Sequence, residues 1–331
     1  MGGADGGGTA YPGPGEPAAP APPAGPAARR SPAARPSLGL VGAGRAGTAV
    51  AAALAAVGHP VVAVVTRSEE GRARAAARFP AARTGPVASV AARLRAADVL
   101  LVAVPDDAIA TVTAELVAVG AVRAGQLLAH LSGRHGLGVL RTGGGSRAAL
   151  AAIHPIMTLP GGEPGPRVFE GVPFGITADP AAADRARSLA TAVGGVPLTV
   201  ADDSRDLYHA ALVLGGNFLT SLAVAARDAL TAAGVTDPAV ALGPLLRASL
   251  DNALAAGWPA ATGPVRRGDV GTVRAHLEAL TAVDPAVAEV YRALARFTAR
   301  ELAGAGLLPP AGRSGLDAAL AGPTGSTRDP A

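Results

Sequence analysis

Three glycines, Gly42, Gly44 and Gly47, form the pattern G-x-G-x-x-G. In a dinucleotide-binding loop the first glycine allows a tight turn, the second lets the backbone approach a pyrophosphate, and the third lets the next helix pack closely. Free N–H groups at the start of that helix would bind the anion. The pattern is weak by itself in a chain with 44 glycines, so its value depends on the elements around it. The loop predicted to bind a pyrophosphate consists of Gly42, Ala43, Gly44, Arg45, Ala46 and Gly47.

The residues after the predicted second strand indicate which dinucleotide would be bound. The apolar run at 61–65 is followed by Thr66, Arg67 and Ser68, and the first carboxylate is Glu69. A site for NAD usually carries Asp or Glu at the strand end to bind the ribose 2′-OH. Because a guanidinium and hydroxyl groups suit a 2′-phosphate instead, we predict NADP, bound through Arg67 and Ser68, and consider NAD less favoured. Arg67 covering the adenine face is the alternative, which also permits NADP.

Polar turn residues follow two further apolar runs that are predicted strands. Val104, Pro105 and Asp106 come after the first run, and Ser132 comes after the second. Since ligands of open α/β sheets bind outside the carboxyl ends of the strands, we expect these residues to border the cofactor, with Ser132 near the nicotinamide. Ordinary turn chemistry explains Asp106 equally well.

His154 and His209 are the histidines best placed for proton transfer. His154 ends a strand-like run and precedes Pro155, which fixes an extended turn on the rim that carries Ser132. His209 lies early in a long predicted helix, and Asn217 follows two turns later, so the two side chains can share a broad face. A helix–helix hydrogen bond is the alternative for Asn217, and His130, inside an apolar run, is predicted to be a core histidine. The predicted catalytic residues are His154, His209, Asn217 and Ser132.

Two residue types are absent from the 331-residue chain. It has no lysine, which excludes Schiff-base chemistry, a Walker-type phosphate lysine and a lysine general base. It has no cysteine, which excludes disulfides, thiolate nucleophiles and cysteine-based metal sites, and we predict no metal. A cysteine-free composition fits a reducing cytoplasm, the location we expect. The net charge is +4, but the arginines are scattered without interleaved aromatic residues, so we predict no nucleic-acid partner.

The domain organisation follows from the order of the predicted elements. Strands and helices alternate over about 115 residues from Leu38, which predicts an α/β fold with a doubly wound parallel Rossmann sheet. A strand–helix–strand unit follows, and from about Ser204 the chain reads as helices. Outside alanine-rich runs typical of soluble helices, no apolar stretch is long enough to predict a transmembrane span. The predicted divisions are a disordered Gly/Pro/Ala-rich tail at 1–36, an NAD(P)-binding Rossmann-like domain at 37–200, a mainly α-helical C-terminal substrate and dimerisation domain at 201–308, and a flexible tail at 309–331.

Several motifs together resemble a known family. The glycine loop, Val104-Pro105-Asp106-Asp107, His130-Leu131-Ser132-Gly133, His154-Pro155 and Tyr208-His209-Ala210-Ala211 are similar to a bacterial group within the 6-phosphogluconate dehydrogenase-like superfamily. That group pairs a Rossmann-like domain with a C-terminal domain of unknown function 2520, and the resemblance covers residues 37–308. It implies an NADP-linked oxidoreductase similar to pyrroline-5-carboxylate reductase and prephenate dehydrogenase. Hydroxyacid dehydrogenases of the superfamily use a helix lysine, so their mechanism does not transfer intact.

These expectations combine into one functional prediction. The chain is predicted to transfer hydride between NADP(H) and a small carbonyl, imine or hydroxy acid in the cleft between its two domains. The helical half is expected to form a homodimer, as alanine-rich helices commonly do in the superfamily. Two alternatives stay open, a non-catalytic NADP-binding regulatory protein, which the missing lysine favours, and a reductase that uses a deazaflavin partner cofactor.

Overall fold

The computed structural model describes residues 35–142, 148–159, 165 and 167–321. The predicted disordered tail lies outside these residues except for its last two positions, and residues 322–331 of the predicted C-terminal tail also lie outside them. The account below concerns the described residues.

Eight strands form one sheet: β1 (Leu38–Val41), β2 (Val61–Val65), β3 (Arg83–Gly85), β4 (Val99–Val102), β5 (Leu127–His130), β6 (Ala149–Pro155), β7 (Pro173–Ala178) and β8 (Val196–Thr199). Their order is β3-β2-β1-β4-β5-β6-β7-β8. Strands β1 to β6 are parallel, β7 runs antiparallel to β6, and β8 runs parallel to β7. The predicted doubly wound α/β fold is confirmed, and the difference is that its last two strands reverse direction.

Helices cover both faces of this sheet, and they are α1 (Arg45–Ala56), α2 (Glu69–Arg78), α3 (Val87–Ala96), α4 (Ile109–Ala118) and α5 (Ala183–Ala192). Residues of β4 alternate between two cores, since Val99 and Leu101 pack with α1 and α5 while Leu100 and Val102 pack with α3 and α4. Buried strands in such sheets read as continuous apolar runs, because both faces are covered.

The rest of the described chain is helical: α6 (Arg205–Leu212), a π-helical turn (Val213–Asn217), α7 (Phe218–Ala232), α8 (Pro238–Ala256), α9 (Pro264–Arg267), α10 (Val270–Val283), α11 (Pro285–Gly304) and α12 (Pro310–Leu320). Helices α10 to α12 share a third core that includes Val273, Leu302 and Leu316. In contrast, α7 and α8 contain no buried residue.

The interpretation of 309–331 as a flexible tail is wrong for residues 310–320. These residues form α12, whose Leu316 and Leu320 are buried against α10 and α11. Proline and glycine suggested a loop, but Pro310 stands in the first helical turn, where its missing N–H costs nothing. Gly312 lets the helix approach closely, because a Cβ there would lie 2.7 Å from the Cα of Gly268.

Candidate functional site

A cavity of about 410 Å³ opens at the carboxyl ends of β1, β2 and β4. The turns that follow these three strands supply most of its wall, as expected for the ligand crevice of an open α/β sheet. Of the residues predicted to bind the cofactor, those that line it are Gly42, Ala43, Gly44, Arg67, Ser68, Val104 and Pro105.

The three glycines of the loop meet different surroundings. Gly42 has a φ of +98°, and a Cβ there would lie 2.7 Å from the carbonyl oxygen of Ala103. A Cβ on Gly47 would lie 2.6 Å from the Cβ of Ala103, so this glycine lets α1 pack against the sheet. At Gly44 the nearest atom would be 3.9 Å away. The protein itself leaves room for a side chain at Gly44, so its backbone is open to a ligand in the cavity.

The start of α1 offers backbone donors to that ligand. Gly44 is the N-cap residue, and no side chain caps the first turn, which contains Arg45 and Ala46. The N–H groups of a first helical turn have no partner within the helix and favour an anion. Thr66, which lines the same cavity, has a buried hydroxyl oxygen without a hydrogen-bond partner in the described part of the chain. These features fit a dinucleotide pyrophosphate.

Cationic and hydroxyl groups lie where the cavity meets α2. Ser68 caps this helix by accepting a hydrogen bond from the N–H of Gly71 at 3.0 Å, which leaves its hydroxyl proton for another acceptor. Arg67 and Arg74 also line the cavity. Within the described part of the chain, the ionic partner of Arg74 is Glu70, in an exposed pair at 3.8 Å. Arg74 was not among the predicted site residues, although its position one turn after Gly71 on a capped helix could have suggested it.

His154, in the last residues of β6, and His209, on α6, come together. Their ring centroids are 6.1 Å apart and the rings are nearly perpendicular. His154 Nδ1 lies 2.8 Å from the hydroxyl oxygen of Tyr208. A Cβ on Gly133 would lie 2.6 Å from His209 Cδ2 and 3.0 Å from His154 Nε2. The glycine that follows Ser132 therefore makes room for both imidazoles.

Burial determines the charge of His154. Its pKa is lowered to about 4, first because the ring is desolvated and second because the Arg205 guanidinium repels an imidazolium. His154 is therefore neutral near pH 7, with one ring nitrogen that donates and one that accepts. Burial also raises the pKa of the Tyr208 phenol, while Arg205 acts in the opposite direction.

Ser132 links two turns of the site. Its hydroxyl donates to Asp106 Oδ2 at 2.8 Å and accepts from the N–H of His135 at 3.1 Å. Its own N–H donates to His130 Nδ1 at 3.2 Å, and His130 Nε2 lies 3.0 Å from the carbonyl oxygen of Gly136. His130 is thus a buried, hydrogen-bonded histidine, as predicted, and burial lowers its pKa to about 4. Ser132 and Asp106 hold the turns after β4 and β5 together.

Asn217 lies apart from these groups. It is the last residue of the π-helical turn, and it is exposed without a side-chain hydrogen bond among the described residues. Eight residues of helix place it about 12 Å along the axis from His209. The structure therefore groups Ser132, His154 and His209 near one another and leaves Asn217 on the surface.

The sequence analysis did not select Tyr208 or Arg205. Arg205, Tyr208 and His209 are spaced at i, i+3 and i+4, so one turn of α6 carries all three toward the sheet. Glycine allows this approach, because the Tyr208 hydroxyl occupies the space that a Cβ on Gly175 would fill. The helical spacing of a buried arginine, a tyrosine and a histidine is the signal that could have found them.

Comparison with protein families now identifies the two parts of the chain. Residues 23–155 match the Rossmann-like domain, and residues 172–298 match DUF2520, a domain of unknown function. The chain thus contains one region that matches a Rossmann-like domain and a second that matches DUF2520. No curated protein matches its sequence.

Solved structures share its fold at low sequence identity. A Bacteroides fragilis protein described as a candidate NADP oxidoreductase is 24% identical with a TM-score of 0.66, over 80% of this chain and 98% of that one. An imine reductase from Pseudomonas sp. is 18% identical with a TM-score of 0.55, over 87% and 100%. A Plasmodium falciparum pyrroline carboxylate reductase with NADP bound is 13% identical with a TM-score of 0.52, over 80% and 99%. These likenesses establish the fold.

Proposed function

We propose that this protein is an NADP-dependent oxidoreductase that transfers hydride between NADP(H) and a small carbonyl, imine or hydroxy acid. One observation carries the proposal: the carboxyl edge of a single sheet bears both a cavity lined by the glycine loop and a cluster of proton-carrying side chains. The cavity has the open backbone at Gly44, and the cluster has the neutral His154 bonded to Tyr208. The solved imine and pyrroline carboxylate reductases with this fold are consistent with a C=N or C=O substrate.

The cavity residues have separate roles in this proposal. The loop from Gly42 to Gly47 and the first turn of α1 bind the pyrophosphate, and Val104 and Pro105 border the nicotinamide end. Arg67, Ser68 and Arg74 bind the 2′-phosphate, which favours NADP over NAD. The bound cofactor supplies or accepts the hydride.

The histidine cluster manages the proton in this proposal. A reduced carbonyl or imine needs a proton on its heteroatom, and His154 and His209 are the titratable rings at the open end of β6. Since the pKa of His154 is about 4, it acts as a neutral hydrogen-bond partner of the substrate rather than as an imidazolium. Ser132 keeps the turn beneath the two rings in place through Asp106.

The first experiment is a titration of NADPH and of NADH into the full chain, followed by nicotinamide fluorescence. We expect NADPH to bind at least tenfold more tightly than NADH. Arg67→Ala and Arg74→Ala should each remove most of that difference by weakening NADPH alone. Arg78→Ala is the matched control, because Arg78 lies at the far end of α2 and does not line the cavity.

Two results would contradict the proposal. If neither nucleotide binds at millimolar concentration, the cavity is not a dinucleotide site. If NADPH binds but no carbonyl, imine or hydroxy acid in a broad screen is turned over, the chain is a binding protein that senses the nucleotide.

A homodimer completes the proposal. In the described chain the stretch Asp202–Ala232 is long and apolar enough to cross a membrane by length and composition alone, and its apolar window is unburied. However, α7 and α8 also carry Arg227, Asp228, Arg247 and Asp251 on their exposed surfaces, and charged groups are costly inside a bilayer. A second copy of the same face could cover the apolar residues and pair its charged groups with those of opposite sign. We expect such a dimer in the cytoplasm, without nucleic-acid or membrane partners.

A further inference from the structure

Arg205 is an unusual residue for the position it occupies. It is the first residue of α6, and only 2% of it is exposed. A buried guanidinium is normally paired with a carboxylate, since desolvation of an unpaired charge is costly. Among the described residues, Arg205 has no ion pair within 4 Å, and its hydrogen-bond partners are all uncharged.

Every N–H of this guanidinium has a partner. Nε donates to Thr177 Oγ1 at 2.9 Å, whose own proton goes to the carbonyl of Val200. The other four donors reach backbone carbonyl oxygens at 3.0–3.2 Å. Those oxygens belong to the turn after β5 and to strands β6 and β7, and the residues are Ser132, Gly133, Ala152 and Gly175. Because an arginine has five N–H donors, none remains to bind a substrate directly.

The charge of Arg205 acts through Tyr208. The guanidinium carbon lies 5.5 Å from the centre of the Tyr208 ring, and the Tyr208 hydroxyl lies 2.8 Å from His154 Nδ1. Burial raises the pKa of the Tyr208 phenol, and the Arg205 charge opposes that rise, so the guanidinium makes the phenol a better donor to His154 than it would be without that charge. If the phenol donates to Nδ1, the neutral imidazole carries its proton on Nε2, the nitrogen that lies beside Gly133.

We propose that Arg205 is the positioning residue of this site, fixing the Tyr208–His154 pair in the arrangement where the phenol donates to Nδ1 and His154 presents Nε2–H to the substrate. This inference rests on the proposed oxidoreductase function. During reduction, the substrate carbon gains hydride from NADPH and its heteroatom takes the proton from Nε2. Nδ1 takes the phenol proton at the same time, so the imidazole stays neutral. The resulting phenolate lies beside the guanidinium. When the product leaves, Nδ1 returns its proton to the phenolate and Nε2 takes a proton from water, which restores the starting arrangement.

Other charged and titratable groups also face His154 and must be kept constant. Burial makes the largest contribution to its low pKa, and Arg205 makes the next. The remaining groups come from α6, from the turn after β4 and from β5, and they are Tyr208, His209, Asp106 and His130. A substitution at Arg205 keeps all four residues in the chain, so the His154 signals are compared in their presence.

The test is nitrogen NMR of the full chain labelled with ¹⁵N-histidine, without nucleotide, over pH 3 to 8, a range that includes the pKa of His154 near 4. Comparison with His154→Gln assigns the two ring signals of His154. In the parent protein at pH 7 we expect Nε2 to be protonated and Nδ1 to be an unprotonated acceptor. Arg205→Gln should raise the pKa of His154 by roughly half to one pH unit and weaken the tautomer preference. Arg205→Lys keeps the charge, so it should retain most of both properties.

Arg134→Gln is the matched control. Arg134 is exposed and forms an ion pair with Asp206, which lies next to Arg205 on α6. This variant should leave both His154 signals unchanged. The proposal is overturned if the parent protein carries the proton on Nδ1, or if Arg205→Gln leaves the His154 titration unchanged. Equal shifts in Arg205→Gln and Arg205→Lys would also overturn it, because they would make the role of Arg205 one of packing.

A second variant covers the case in which Arg205→Gln does not fold. Tyr208→Phe removes the phenol hydroxyl but keeps the aromatic ring and the Arg205 guanidinium. It should therefore shift His154 toward a mixture of tautomers. An unchanged tautomer in that variant contradicts the proposal. Since the NMR experiment uses no nucleotide, its outcome is independent of the NADPH titration, which tests the oxidoreductase function separately.

Discussion

At the scale of single residues, the site depends on positions that lack a side chain. Gly44 leaves backbone open to the cavity, Gly133 makes room for two imidazoles, and Gly175 accommodates the Tyr208 hydroxyl. Gly42 differs, because its φ of +98° is a conformation that other residues adopt only with strain. The glycines of this site are therefore required for different reasons: open space for a ligand, room for neighbouring side chains, or a positive φ. Substitutions can distinguish a loss of binding from a loss of stability.

Alanine at Gly44 and at Gly42 should have opposite consequences. Gly44 has a φ of −74° and no atom within 3.8 Å of its missing Cβ, so Gly44→Ala should leave the free energy of unfolding within ~0.5 kcal/mol. It should nevertheless weaken NADPH binding at least tenfold, because the new methyl group enters the pyrophosphate position. Gly42→Ala should cost roughly 1–3 kcal/mol of stability. Urea unfolding and NADPH titration measure the two effects, and a Gly44→Ala protein with full NADPH affinity would contradict this assignment of the cavity.

At the scale of elements, α12 shows that the helical region has a core of its own. Its leucines pack against α10 and α11, whereas α7 and α8 contain no buried residue. This core contains Val273, Leu302, Leu316 and Leu320, all with almost no exposed surface. The last described helix therefore stabilises the domain.

Truncation of Leu316 should test that role. Leu316→Ala removes a fully buried side chain from α12, so it should lower the free energy of unfolding by about 2–5 kcal/mol. Ser314→Ala is the matched control, because Ser314 is exposed on the same helix and should change stability by less than ~0.5 kcal/mol. Urea unfolding gives both values, and equal stabilities would mean that α12 is not docked in solution.

Short-range signals in the sequence account for most of the predicted elements, and long-range contacts account for what was missed. The apolar runs of β1 and β4 and the Ser68 cap of α2 depend on neighbouring residues, so they could be predicted. Strand β3 has three residues and no apolar pattern, so its local sequence did not predict a strand. The Tyr208–His154 pair joins residues 54 positions apart, and no spacing rule connects them before the fold is known. The spacing of Arg205 on α6 could have drawn attention to it, but its burial could not be predicted, since its carbonyl partners belong to three separate segments.

At the scale of the whole molecule, the exposed face of α7 and α8 is the most unusual surface of the described chain. Leu245 is 60% exposed and Leu254 is 79% exposed. An apolar groove of about 520 Å³ also runs between the two helices, lined by Leu219, Leu242, Leu246 and Leu250 among others. Large exposed apolar patches of this kind mark interaction sites.

A charge in this groove should prevent the proposed dimer. We expect light scattering at micromolar concentration to give twice the chain mass for the parent protein and the single-chain mass for Leu250→Glu. Val119→Glu is the matched control, since Val119 is a comparably exposed apolar residue beside α4, and it should leave the dimer intact. A parent protein that is a monomer at this concentration would rule out the dimer.

Strand β8 is an edge of the sheet, where a strand from another copy of the molecule could add. Val196 and Leu198 are exposed on it, a composition that in an open sheet invites a foreign strand to add and to seed aggregation. Pro197 lies between them and has no N–H to offer to an incoming strand. At the opposite border, β3 is only three residues long and begins with the charged Arg83. Both borders of the sheet are therefore poor templates for the addition of a strand from another copy of the chain.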